Sequence, residues 1–94
     1  MNKYELMVIL KSLLPEDIRA QIQKKIEKLI IKGNGKIVNV DNWGKRHLAY
    51  PIKKHDEGYY IVYKLDMDVG FAQEFQKELK LMNDVLRILL TKLD

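Results

Sequence analysis

Two alternating stretches, one near each end of the chain, constrain the fold more than any other feature of the sequence. Tyr4 to Lys11 and Val85 to Leu93 both place apolar side chains at every second position. Successive side chains of a strand point to opposite faces, so this period of two indicates strands that are buried chiefly on one side. Their inward faces are predicted to carry Tyr4, Leu6, Val8 and Leu10 in the first strand and Leu86, Ile88 and Leu90 in the last.

Two stretches with apolar spacings of three and four predict helices. The first helix starts at Pro15 and runs to about Lys32, because proline is tolerated in the first turn and the acids that follow it favour the positive end of the helix dipole. The second runs from about Val69 to Met82, and Asp68 caps it. The apolar stripes are Ile18, Ile22, Ile26, Leu29 and Ile30 in the first helix, and Ala72, Phe75 and Leu79 in the second.

Between the helices the sequence predicts a hairpin. An extended segment covers Lys36 to about Lys53 with a bend at Asp41 to Gly44, and a polar turn over Lys54 to Gly58 leads into a strand from Tyr59 to Met67. Pro51 cannot donate a ladder hydrogen bond, which places the first hairpin strand at a sheet edge. The element order therefore predicts one α+β domain over residues 1–94 with a ferredoxin-like βαββαβ fold, in which a four-stranded antiparallel sheet carries two helices on one face.

Composition excludes several classes of function. The chain has 94 residues and no cysteine, which excludes disulfides and thiolate chemistry and favours a cytoplasmic location. Its apolar runs fall far short of the roughly 20 residues that span a bilayer, and the amino terminus has no signal-peptide pattern, so we expect no membrane partner. The net charge of +4 favours an anionic partner without identifying it.

The sequence offers few convergent reactive groups, so we expect no catalysis, no cofactor, no metal and no small-molecule substrate. His47 and His55 match no metal-ligand spacing. The glycines form neither a P-loop nor a dinucleotide fingerprint, because the required lysine or third glycine is missing. Acidic pairs such as Asp56 and Glu57 lie beside predicted turns, where carboxylates commonly shape the chain.

The stretch from Trp43 to Tyr60 carries the clearest functional signal, because cations and aromatic rings alternate in it. Its cations are Lys45, Arg46, His47, Lys53 and Lys54, and its rings are Trp43, Tyr50, Tyr59 and Tyr60. Lysine and arginine neutralise phosphates, and exposed rings stack on unpaired bases, so the combination suits RNA. The same residues also fit a solvated hairpin edge whose charges oppose aggregation. Composition alone does not decide between these interpretations.

The sheet face away from the helices is a second candidate surface. Tyr59 and Tyr63 are expected to point toward the helices. The opposite face then carries four apolar side chains: Met7, Ile9, Tyr60 and Val62. They form either a patch suited to a protein partner or scattered exposed groups that need no explanation. This face lacks the signature of an RNA-recognition motif, since residues 58–64 read Gly-Tyr-Tyr-Ile-Val-Tyr-Lys.

The run Arg46 to Lys54, which reads Arg-His-Leu-Ala-Tyr-Pro-Ile-Lys-Lys, together with Gly58-Tyr59-Tyr60, resembles the hallmark of the bacterial small-subunit ribosomal protein S6 family. The similarity extends over the chain, through Tyr4-Glu5, the Asn42 to Gly44 bend and Asn83-Asp84-Val85. The resemblance implies a non-catalytic protein of the 30S small subunit that binds the central domain of 16S ribosomal RNA and pairs with ribosomal protein S18.

The resemblance also implies site residues. Arg46 matches the family's basic residue before Leu-Ala-Tyr-Pro, and three further positions where basic residues are usual are occupied by Lys3, Arg87 and Lys92. With the basic residues of the hairpin, the expected RNA contacts are Lys3, Lys45, Arg46, Lys53, Lys54, Arg87 and Lys92. His47 and Leu86 stand where the family often has further basic residues, which predicts a thinner basic surface.

Two rival functions share the same element order. A ferredoxin-like module that binds a protein or a small ligand needs no RNA. A small hydrolase of the acylphosphatase type needs a phosphate loop with an arginine and an asparagine, whereas the chain offers only Lys11-Ser12-Leu13-Leu14 between the first strand and the first helix.

Overall fold

The computed structural model describes residues 2–93, and its elements follow the predicted order. These elements are β1 (Asn2–Lys11), α1 (Glu16–Lys32), β2 (Lys36–Ile52), β3 (His55–Met67), a 3-10 turn (Val69–Phe71), α2 (Ala72–Lys80) and β4 (Val85–Lys92). The strands form one antiparallel sheet in the order β2-β3-β1-β4. The α+β ferredoxin-like fold is confirmed, and β2 is an edge strand, as Pro51 predicted.

The core lies between one face of the sheet and the two helices, which pack side by side on that face. Alternation along β1 and β3 directs one set of side chains inward, and the apolar stripes of both helices meet them. The fully buried side chains of this core are Leu6, Val8, Leu10, Ile26, Ile30, Ile61, Tyr63, Leu65, Met67, Phe75 and Leu79. Ile18 and Ala72, at the ends of the predicted stripes, are only partly buried against it.

The ends of the two helices follow from local chemistry. α1 begins at Glu16, one residue after Pro15, and the chain leaves it through Asn34, whose φ of 60° lies in the left-handed region. Ahead of the second helix the Asp68 carboxylate accepts a hydrogen bond from the Gly70 backbone N–H at 3.0 Å, so Asp68 caps the 3-10 turn that leads into α2 and not α2 itself.

The second helix is shorter than the predicted span from Val69 to Met82. Residues 69–71 form a 3-10 turn, and α2 ends at Lys80. Beyond that point the backbone N–H of Leu81 donates to the Glu78 carbonyl, so the hydrogen bond spans three residues instead of four. The tightened turn brings the chain to the start of β4.

A bulge at the start of β4 breaks the predicted alternation. The register between β1 and β4 shifts after Ile9, which leaves Leu86 as an extra residue in β4. Val85 and Leu86 are consequently both buried, although strict alternation would put them on opposite faces. Val85, and not the predicted Leu86, belongs to the core cluster, and Ile88 and Leu90 pack against it as predicted.

Candidate nucleic-acid and protein interfaces

The β2–β3 hairpin closes on a two-residue turn formed by Lys53 and Lys54. Ile52 pairs with His55, and the two lysines have φ values of 50° and 68°. Positive φ at both central residues is the geometry of a type I′ turn, which matches the twist of antiparallel strands. The predicted turn over Lys54 to Gly58 is therefore wrong, because residues 55–58 belong to β3. The turn holds two exposed cations at the tip of the hairpin.

The edge strand β2 is irregular in three places. Its register against β3 shifts near Val38, near Trp43 and between His47 and Ile52. The shift beside Trp43, followed by Gly44 with a φ of 86°, confirms the bend predicted at Asp41 to Gly44. Pro51 lies in the third irregularity, where its missing N–H removes no ladder hydrogen bond.

Three side chains of the predicted RNA-binding stretch form one cluster. The rings of Trp43 and Tyr60 stack with centroids 6.3 Å apart and planes 9° from parallel. The Arg46 guanidinium carbon lies 5.1 Å from the Trp43 ring centroid, a cation–π distance. Asp41 Oδ2 accepts a hydrogen bond from the Trp43 indole N–H at 3.1 Å, which fixes the indole, and Trp43 remains 41% exposed. The cluster therefore offers an ordered ring and a cation to solvent.

The two tyrosines assigned to the helix side lie there. Tyr63 is fully buried in the core, and Tyr59 is partly buried against it. The Arg19 guanidinium of α1 lies 4.1 Å from the centroid of the Tyr59 ring. The prediction that both rings point toward the helices is confirmed, and Tyr59 packs against α1.

The predicted apolar patch is contiguous on the open face of the sheet, away from the helices. Met7 pairs with Val62, and Ile9 pairs with Tyr60, so the four side chains occupy adjacent positions on one face. Ile9 and Val62 are only 6% exposed, however. Most of the apolar surface that a partner can reach therefore comes from their neighbours.

Two residues explain how Ile9 is covered. Gly58 lies beneath it, and a Cβ at Gly58 would collide with the Ile9 side chain. The Leu48 side chain lies 3.5 Å from the same Cβ position. The glycine therefore lets Ile9 lie flat against β3, and the Leu48 side chain is close enough to shield it.

The sequence prediction missed one accessible member of this patch, Leu89, which is 55% exposed. A shallow depression of about 200 Å³ is lined by Met7, Ile9, Tyr60, Arg87, Ile88 and Leu89. The alternation in β4 could have identified Leu89, since it is the outward neighbour of two inward residues. We call Met7, Ile9, Tyr60, Val62 and Leu89 the open-face patch.

The seven predicted RNA contacts do not form one cluster. Lys45 pairs with Tyr59, and Arg46 pairs with Gly58, so these consecutive residues point to opposite faces of the sheet. Lys3 and Lys92 lie at the end of the sheet farthest from the hairpin turn. The predicted basic surface is therefore spread along the sheet edges and ends.

The structure brings two of the seven together with a cation that the sequence prediction missed. Lys53 from the hairpin turn and Arg87 from β4 line a depression of about 430 Å³, and Lys80, the last residue of α2, is the third cation in it. No local pattern indicated Lys80, because its neighbours in the depression come from distant parts of the chain.

Most predicted RNA contacts have no internal counterion. The Lys11 ammonium lies 3.6 Å from the Asp84 carboxylate, and the His47 Nε2 lies 3.9 Å from the Glu57 carboxylate. By contrast, these exposed cations form no ion pair with any residue from 2 to 93: Lys45, Arg46, Lys53, Lys54, Arg87 and Lys92. They are available to an external anion.

Within residues 2–93, no three His, Cys, Asp or Glu side chains lie where they could hold a metal ion together. No helix in the same part of the chain has the length and apolarity needed to cross a membrane.

Comparison with known proteins decides the family. A family model described as Ribosomal protein S6 matches residues 3–92. The chain belongs to the ribosomal protein S6 family. The small ribosomal subunit proteins bS6 of Thermoanaerobacter pseudethanolicus and Alkaliphilus oremlandii are 40% and 42% identical to it over 94 residues, which cover 100% of this chain and 99% of each relative.

Solved structures agree with the family assignment. The crystal structure of 30S ribosomal protein S6 from Thermotoga maritima matches with a TM-score of 0.91 and 30% identity, over 98% of this chain and 87% of that one. The C-terminal domain of the MgtC protein from Mycobacterium tuberculosis has a TM-score of 0.68 at 13% identity, over 98% of this chain and 87% of that one, and so shares the fold alone. This S6 protein is a structural component of the small ribosomal subunit that associates with ribosomal RNA, and it acts in the cytoplasm, as predicted.

Proposed function

We propose that this S6 protein binds the central domain of 16S ribosomal RNA together with ribosomal protein S18, and that it does so without catalysis, cofactor or metal. The observation that carries the proposal is the hairpin edge of the S6 fold, where exposed cations without internal counterions lie beside a stacked Trp43–Tyr60 pair. Such an edge supplies phosphate neutralisation and a stacking platform together.

The RNA surface follows the edges and the ends of the sheet. β2 has no neighbour on its outer side, so an RNA strand that runs along it can reach Lys45 from one face and Arg46 from the other. Lys53 and Lys54 extend the same edge to the hairpin tip. The remaining proposed phosphate contacts lie on β1 and β4: Lys3, Arg87 and Lys92.

The open-face patch is the proposed contact with S18. Its members lie on one face across three neighbouring strands, and Leu89, which is 55% exposed, is the most accessible of them. Apolar surface of this kind suits contact with a partner chain and not with phosphates, and Tyr60, which also stacks on Trp43, is a residue that the two proposed interfaces share.

Salt dependence tests the RNA interface. If about six phosphates are contacted, affinity for central-domain RNA should fall roughly 10³-fold between 50 and 200 mM salt. The double variant Lys45→Ala with Arg46→Ala should remove two phosphate contacts. Its affinity should then fall about 12-fold less than the wild-type affinity over the same salt range, because each contact contributes about 3.5-fold. The matched control is Lys24→Ala with Lys28→Ala, which removes the same charge from the exposed face of α1.

Filter binding measures the effect, and circular dichroism verifies the fold of each variant. Equal salt slopes for the two double variants would retire the assignment of Lys45 and Arg46. A wild-type affinity that does not change with salt would contradict the phosphate mechanism as a whole.

A charge placed in the open-face patch tests the protein interface. Tyr60→Glu should weaken association with S18, because the carboxylate would be desolvated at an apolar contact. Leu13→Glu is the control, since Leu13 is an exposed apolar residue in the loop after β1. An S18 complex that forms equally well with both variants in size-exclusion chromatography would count against the patch.

Sedimentation of the tagged chain with small ribosomal subunits tests the proposal as a whole. Recovery of a stoichiometric non-ribosomal partner from ribosome-free lysate, without co-sedimentation, would favour the rival protein-binding module.

A further inference from the structure

We infer that Lys80, together with Lys53 and Arg87, forms a binding site for one phosphate group of the RNA backbone; the inference rests on the proposed function. These cations come from the end of α2, the hairpin turn and β4, and all three line the depression of about 430 Å³ described above. We call it the three-cation site. This site adds Lys80 to the proposed RNA contacts, and its cations from three separate elements bind the same phosphate.

The charge around the three-cation site is unbalanced. No carboxylate lines the depression, and the three cations form no ion pair among residues 2–93. Asp84, which precedes β4, is already paired with Lys11 at 3.6 Å. Three like charges around one depression repel one another, and a bound anion relieves that repulsion.

The remaining lining strengthens the attraction. Val85, Leu86 and Ile88 supply apolar wall, and Val85 and Leu86 are buried. An apolar wall lowers the local dielectric constant, and a cleft lined by charges of one sign concentrates the field at its centre. A phosphate there interacts more strongly than one at an isolated surface lysine.

The backbone fixes the elements that carry these cations. The type I′ turn fixes the backbone of Lys53 at the hairpin tip. The bulge at Leu86 sets the position of Arg87 opposite Ile9. Lys80 stands where the helix gives way to a tight turn. The site is therefore built by tertiary structure rather than by a basic run in the sequence.

Lys80→Ala compared with Lys77→Ala tests the inference. Lys77 is exposed on the same helix and does not line the three-cation site. Lys80→Ala should weaken central-domain RNA binding and reduce its fall between 50 and 200 mM salt by at most about 3.5-fold, the contribution of one phosphate contact, because Lys53 and Arg87 still hold that phosphate. Lys77→Ala should leave the slope at the wild-type value, and Lys80→Arg should retain it because the cation is kept.

The outcomes separate this inference from the proposed function. If the wild-type chain does not bind the RNA, the proposed function fails. If the wild type binds and Lys80→Ala keeps both the wild-type affinity and the wild-type salt slope, the three-cation site is wrong while the proposed function stands. Equal losses for Lys80→Ala and Lys77→Ala, in variants with equal melting temperatures, would show a general charge effect and also overturn the site.

Discussion

Replacement of Tyr63 by phenylalanine should stabilise this protein. Tyr63 is fully buried in β3, and its hydroxyl has no hydrogen-bond partner among residues 2–93. A buried donor without a partner costs about 1–3 kcal/mol. Phenylalanine keeps the ring in place and removes only the hydroxyl, so we expect the free energy of unfolding to rise by about 1 kcal/mol at neutral pH. For a domain of this size that corresponds to roughly 4–8 °C in melting temperature.

The titration of Tyr63 leads to a second, independent expectation, which concerns how stability depends on pH. Burial raises the pKa of the Tyr63 phenol above its ordinary value of 10.0, and the nearby charge of Glu27 raises the pKa further. Above that ordinary value the unfolded chain releases the phenolic proton while the folded chain retains it. The free energy of unfolding of the wild type therefore falls as pH rises beyond about 10. Tyr63→Phe lacks this loss, so its advantage over the wild type should widen with pH.

Urea unfolding followed by circular dichroism, at pH 7 and at several values above 10, tests both expectations. Tyr50→Phe is the control, because Tyr50 is exposed and its replacement should change stability by less than about 0.5 kcal/mol. The reasoning fails if Tyr63→Phe is less stable than the wild type by more than about 0.5 kcal/mol at pH 7. A stability difference that stays constant with pH would refute the expectation from titration.

Two further stability predictions follow from contacts in the structure. Gly58→Ala should lower the free energy of unfolding by about 1–3 kcal/mol in chemical denaturation, because the new methyl group meets Ile9. The loss should be smaller in an Ile9→Ala background, and equal losses in both backgrounds would contradict that contact. Asp84→Asn should lower the free energy of unfolding by less than about 1 kcal/mol, because the side chains of Asp84 and Lys11 are 36% and 37% exposed and water screens their ion pair. A larger loss would assign Asp84 a role beyond this ion pair.

The element order was predictable because it depends on local periodicity. The alternation of β1 and the apolar stripe of α1 are properties of a few consecutive residues, and burial reinforces both. Pro51 could place β2 at the sheet edge because a missing N–H is a fixed chemical fact. Features that depend on local periodicity or on the chemistry of a single residue were therefore predicted correctly.

The hairpin turn was not predictable by the same means. Gly58 and its acidic neighbours are residues typical of turns, whereas Lys53 and Lys54 are not residues that favour positive φ. Pairing of β2 with β3 continues past Gly58 to Ile52 and His55, and this continued pairing forces the lysines into the turn. Tertiary pairing overrode local preference.

The functional site was predictable only in part, for a geometric reason. Lys45 and Arg46 look like one basic unit in the sequence, yet the period of two in a strand sends them to opposite faces. Lys80 belongs to a site whose other cations lie 27 positions earlier and 7 positions later in the chain. Nothing local indicates such an assembly, because it exists only once folding places the hairpin tip and the end of α2 around the same depression.

Arg87 links the two proposed interfaces. It lines the three-cation site on one side and the depression of the open-face patch on the other. An RNA phosphate held by Arg87 would therefore lie beside the surface proposed for S18, and each ligand would alter the surroundings of the other. Any strengthening of RNA binding by S18 must be matched by an equal strengthening of S18 binding by RNA, because binding free energies are reciprocally linked. Arg87→Ala removes a proposed phosphate contact and should weaken RNA binding alone, so a loss of the mutual strengthening in Arg87→Ala that Lys80→Ala does not show would identify Arg87 as the point of coupling.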